Sequence, residues 1–105
     1  MKENTFIIIY VTHKNKDEAE KVTKHLLSQK LIACVNYLPI QSEYFWKGEM
    51  ANENEVVTLL KTKNENWDKV KSEVEKIHTY EVPAIIKFEV EANPAYVKWI
   101  NDMSI

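Results

Sequence analysis

Ile32-Ala33-Cys34-Val35-Asn36, then Ser42-Glu43-Tyr44-Phe45-Trp46-Lys47-Gly48-Glu49, then Leu59-Leu60-Lys61-Thr62: residues 32–62 read as two long strand-like runs on either side of the chain's only glycine, Gly48. Strand side chains alternate between faces, so Ser42, Tyr44 and Trp46 share one face of the first run. A hairpin this long and this aromatic exceeds what the helices of one small domain can cover. It predicts an assembled protein, a homo-oligomer, before it predicts any chemistry.

The flanking sequence supplies the rest of the fold. Residues 6–12, with three consecutive isoleucines, predict a strand buried on both faces and central in a sheet. Asn15 followed by Glu18 is a capping-box signature, and Ala19, Val22 and Leu26 follow at helical spacing, predicting a helix that ends near Lys30. The second strand spans 31–46, bent near Pro39. The turn falls at Lys47-Gly48-Glu49 or further on around Asn52, and the third strand spans 55–63. Asn64 is expected to cap a second helix with a Trp67, Val70, Val74, Ile77 stripe, and 83–91 forms the fourth strand. Asn93-Pro94 starts a final helix, cap then first-turn proline. The order is α+β, βαββαβ plus a terminal helix, the ferredoxin-like arrangement in a single domain spanning 1–105. In that fold the second strand lies on a sheet edge, which another subunit can cover.

Composition narrows the function. A net charge of -2 gives no global attraction to nucleic acid or anionic membrane. All 14 basic residues are lysine, and the absence of arginine argues further against phosphate and guanine readout. No apolar run approaches the roughly 20 residues that span a bilayer. The N-terminal run Phe6–Val11 is too short for a secretory signal core and has no small-residue cleavage site. Cys34 is the only cysteine, which fits a reducing compartment. A cytoplasmic protein is expected.

In order along the chain, Ala33-Cys34-Val35-Asn36, Ser42-x-Tyr44-x-Trp46-x-Gly48, Glu55, Lys61-Thr62, His78-x-Tyr80-x-x-Pro83 with Ile85-Ile86, and Tyr96 with Trp99 resemble the CutA family of divalent-cation tolerance proteins. The resemblance covers nearly the whole chain. It implies a ferredoxin-like subunit in a tight trimer built by the long hairpins, and a link to tolerance of copper and other divalent ions. Two positions depart from the family pattern. Thr79 stands where a proline is common, and Ala84 where a glutamate is common.

Candidate ligands for a weakly bound copper or related cation are Cys34 and His78, thiolate and imidazole both being accepted by copper. No Cys-x-x-Cys or His-x-x-x-His pair exists, so any metal site is assembled by the fold or between subunits. Cys34, between Ala33 and Val35, also reads as a packed strand residue. His78 also reads as a favoured residue at a helix C-terminus. His13 and His25 read as solvated surface.

Lys61, Tyr44, Tyr80 and Glu81 make a second constellation, an intersubunit cleft with aromatic walls for a small anion or metabolite. The competing expectation is that Lys61 pairs with Glu81 or Glu55. Trp46 is assigned to the subunit interface, where Trp and Tyr are enriched, and Trp67 and Trp99 to the core. One glycine leaves no phosphate loop, and no nucleophile elbow or Ser–His–Asp spacing is present, so no enzyme is expected. The sequence reading is a trimeric divalent-metal (copper) homeostasis protein. Its alternative is a trimeric signalling or scaffold module, PII-like in architecture, that binds a small molecule between subunits.

Overall fold

A computed structural model describes residues 4–105; the first three residues of the expected domain lie outside it. Four strands and three helices run in the order β1 (Thr5–His13), α1 (Lys16–Ser28), β2 (Cys34–Trp46), β3 (Glu49–Thr62), α2 (Trp67–Ile77), β4 (Ile85–Glu91) and α3 (Pro94–Met103). They form one antiparallel sheet in the order β2-β3-β1-β4, the ferredoxin-like order. β1 is internal and β2 is an edge, as the sequence predicts.

Helices α1 and α3 start for local reasons. The Asn15 side chain accepts the Glu18 backbone N–H at 2.9 Å and caps α1. Pro94 occupies the first turn of α3, where its missing N–H costs nothing. Asn64 behaves differently from the sequence expectation: it opens a 3-10 turn over Asn64–Asn66, makes no side-chain cap, and its amide donates to the Thr5 hydroxyl at 3.0 Å. Asn66 turns inward instead, donating to the Leu31 carbonyl and the Thr62 hydroxyl.

The two sheet faces are covered unequally. Ile7, Ile9 and Val11 of β1 and Leu60 of β3 pack against Val22 and Leu26 of α1 and Val70 and Val74 of α2. On the opposite face α3 covers only one end, where Val97 and Ile100 pack on Phe6, with Ile8, Cys34 and Tyr96 at the margin. The rest of that face is open, and Leu38, Ile86 and Phe88 are each about half exposed there. Trp99 is also exposed, so of the two tryptophans expected in the core only Trp67 packs against it.

β2 and β3 pair without interruption from Cys34↔Lys61 to Trp46↔Glu49, through Pro39, which an edge strand tolerates. The turn is the two-residue Lys47-Gly48, with φ of 51° and 82°. Positive φ at both central residues is the hairpin turn whose twist matches its strands, and Gly48 supplies one of them without penalty. The hairpin projects beyond the helices and gives the molecule its 46 Å long axis. No helix among the described residues is long and apolar enough to cross a membrane.

Candidate functional site

Where the hairpin leaves the body of the sheet, the open face folds over into a cavity of about 660 Å³. The register decides what lines it. Even-numbered residues of β1 and β2 and odd-numbered residues of β3 share this face. β1 therefore contributes Tyr10 and Thr12, β2 contributes Ser42, Tyr44 and Trp46, and β3 contributes Glu53 and Glu55. The segment between α2 and β4 closes the far wall with Thr79, Tyr80, Glu81, Val82 and Ala84.

His78 fixes that wall. Its Nε2 lies 2.7 Å from the Thr12 carbonyl, which only accepts, so Nε2 carries the proton. Nδ1 is then the bare nitrogen, and it accepts the Tyr80 backbone N–H at 3.0 Å. Both ring nitrogens are thus engaged with backbone. His78 also packs beside the Tyr80 ring, with centroids 4.8 Å apart, and over His13.

Tyr80 carries the fix into the cavity: its hydroxyl donates to Glu55 Oε2. Burial first, and then the hydrogen bond to Glu55, push the Tyr80 phenol well above its usual range, so it remains a donor. Tyr44 is pushed up as well, first by desolvation and then by the neighbouring Glu53 carboxylate. The Tyr80–Glu55 pair therefore faces the cavity, with Tyr44 and Glu53 also in its lining. Glu55 is only 7% exposed. Among the described residues no lysine or histidine nitrogen lies within 4.0 Å of it, and no lysine or histidine lines the cavity. At the rim, Lys47 Nζ sits 3.8 Å from Glu81 and 5.8 Å from the Trp46 ring centroid.

The sequence-predicted residues divide between two ends of the face. Tyr44, Tyr80, Glu81 and Trp46 meet at the cavity. Lys61 does not join them: it lies six residues from Glu55 along β3, about 20 Å in an extended strand. It also has neither expected carboxylate partner. Its Nζ instead donates to the Tyr96 hydroxyl at 3.1 Å and lies over that ring.

Cys34 pairs with Lys61 in register with Ile8, whereas His78 bonds Thr12. Within one chain the two candidate copper ligands are therefore separated by about 13 Å along the strand direction and by the width of two strands. Among the described residues no three His, Cys, Asp or Glu side chains come close enough together to hold a metal ion. His13 corrects a second expectation. It is fully buried, bonded to Thr58 at 2.8 Å, because an odd position on β1 faces the helices. His25 is half-buried and bridges to Glu73 of α2 at 3.0 Å.

Residues 7–103 match the family model described as "CutA1 divalent ion tolerance protein". This chain belongs to that family. It is 40% identical over 95 residues, covering 90% of this chain and 93% of the other, to the divalent-cation tolerance protein CutA of Pyrococcus horikoshii. The crystal structure of CutA1 from that organism superposes with a TM-score of 0.91 at 37% identity, covering 94% of this chain and 98% of that one. The structure described as the periplasmic divalent cation tolerance protein CutA from Archaeoglobus fulgidus gives a TM-score of 0.88 at 34% identity, over 94% and 97% of the two chains. Thr79 and Ala84, the two positions singled out in the sequence, both line the cavity.

Sequence reasoning missed Tyr10, Thr12 and Glu53 of the strands and Val82 of the far wall. The signal was available in the alternation: once Lys47-Gly48 is taken as the turn, Ser42 pairs with Glu53 and Tyr44 with Ala51, and the face of each follows.

Proposed function

We propose that this protein serves divalent-cation tolerance as a non-catalytic homotrimer, each 1–105 domain binding a small molecule in the cavity at the base of its hairpin. The observation that carries the reading is a cavity of about 660 Å³ that contains a nearly buried carboxylate, Glu55, held by a phenol rather than a cation. Buried charge without a counter-charge is costly, and a ligand offsets that cost. Assembly is supported by the open apolar face, an exposed patch of the kind that marks a protein contact. Trp46, on that face at the cavity mouth, is the interface anchor. The unpaired Cys34 suits a reducing compartment, the cytoplasm.

A second reading is direct copper binding through Cys34 and His78. It is favoured by the partial exposure of Cys34 on the open face and requires ligands from two subunits. It also requires His78 to give up one of its two backbone hydrogen bonds. The test compares metal-stripped protein with its His78→Ala and Cys34→Ala variants. Copper and zinc are titrated by calorimetry against a competing chelator, and a small-molecule panel is screened by NMR. Chelator-independent binding that shifts Tyr44, Trp46 and Tyr80 supports the cavity. Saturable copper at one per subunit, lost in either variant, with no response at the cavity, overturns it.

A further inference from the structure

We propose that the cavity is a site for a small organic ammonium ion, and not for an anion. The inference rests on the reading that this cavity is the ligand site, and it names the class of ligand.

The charge that this chain brings to the lining argues against an anion. Glu53, Glu55 and Glu81 contribute carboxylates, and no lysine or histidine is among the lining residues. Lys61, the cation that would have drawn an anion, is committed to Tyr96 at the other end of the face. Glu55 is 7% exposed and receives its hydrogen bond from an uncharged phenol, with no lysine or histidine of the described residues beside it.

The shape and walls select an organic cation over a bare metal ion. No three of the described His, Cys, Asp or Glu side chains share a metal-sized space. The volume, about 660 Å³, is that of a small-molecule pocket. Its walls are the rings of Tyr10, Tyr44, Trp46 and Tyr80. Aromatic faces backed by carboxylates attract ammonium groups, which lose little hydration on binding when alkylated. The rim already holds one ammonium of the chain's own: Lys47 Nζ lies over Trp46 and beside Glu81. That contact belongs to the surface, and the deeper position beside Glu55 remains without a cation among the described residues.

The test uses the full chain, isotope-labelled for NMR, and three probes: choline, its uncharged isostere 3,3-dimethyl-1-butanol, and citrate. Choline should shift the Tyr44 and Tyr80 amides and the Trp46 indole N–H saturably. The isostere should bind at least about tenfold more weakly, since only the charge differs. Glu55→Gln, which keeps an oxygen for the Tyr80 hydroxyl, should weaken choline about tenfold and leave the isostere unchanged. Glu53→Gln, at an exposed position, reads the same effect if the first variant folds poorly. Equal binding of choline and its isostere, or binding of citrate in place of choline, would overturn the cation while leaving the cavity as the ligand site. Choline binding by a monomeric variant but not by the assembled protein would mean that a neighbouring copy fills the cavity, and also overturns it. If no probe moves these signals in either form, the cavity reading falls with it.

Discussion

The imidazole of His78 lies over that of His13, with centroids 5.0 Å apart and planes within 21° of parallel. One ring is sealed in the helix-side core and the other ties the cavity wall to β1. Burial, then the neighbouring His78, lower the His13 pKa from 6.5 to about 4. The folded protein thus resists a proton that the unfolded chain accepts. Stability from this group is complete above pH 6.5 and is lost as pH falls from 6.5 towards 4, on the order of 3 kcal/mol over the whole window. Urea denaturation at fixed protein concentration should show that slope, and His13→Gln should flatten it. A wild-type curve level between pH 6.5 and 4 would contradict the assignment.

Glu73 acts in a lower window. Its hydrogen bonds to Lys76 and then His25 hold its carboxyl down from 4.5 to about 2. Folded-state carboxylate is favoured, so this contribution is present above pH 4.5 and is lost as pH falls towards 2. Glu73→Gln should leave the slope between pH 6.5 and 4.5 intact and shrink the loss below pH 4.5. Acid titration followed by circular dichroism separates the two, and an unchanged low-pH limb in the variant would place the loss elsewhere.

Tyr80→Phe removes the hydroxyl that donates to Glu55 and leaves a nearly buried carboxylate without that donor. The expected cost is about 1–3 kcal/mol, the usual penalty for an unsatisfied buried acceptor. Glu55→Gln should cost less, since its amide oxygen still accepts. Equilibrium denaturation of both variants checks the order, and a larger loss in Glu55→Gln would mean that the charge of Glu55 has a partner in the assembled protein.

Much of this was legible in the sequence because the decisive signals are local. Three isoleucines mark the central strand and Asn15 and Pro94 mark helix starts, while the turn, left open between Lys47-Gly48-Glu49 and Asn52, falls at Lys47-Gly48 and sets the register of thirteen pairs. Misassignments arose where tertiary partners overrode local chemistry. Asn64 is a good cap in isolation, but Thr5 and a 3-10 turn claimed it. His13 begins a lysine-rich loop, yet strand parity turns it inward. Lys61 and Tyr44 lie on the two strands of one hairpin, and only the register of that hairpin shows that they sit at opposite ends of one face. Trp99 reads as core from its spacing, but α3 covers too little of the sheet to bury it.

That shortfall in cover gives the last prediction. Along the open face, Phe88 pairs with Ile8 and Ile86 with Tyr10, while Leu38 reaches Thr12 through Val57. Phe88 is 50% exposed and Leu38 47%, with Ile86 close to them in value. Apolar rows of this kind on a sheet face call for another layer, which a neighbouring copy supplies in the proposed trimer. Phe88→Asp places a charge in that contact without entering the helix-side core. It should therefore yield a folded monomer, with wild-type circular dichroism and a third of the wild-type mass in light scattering. Trp46→Ala should weaken the assembly less completely, because Trp46 also faces the cavity. A Phe88→Asp protein with unchanged mass would move the subunit contact off this face; a monomeric wild type would remove the contact altogether.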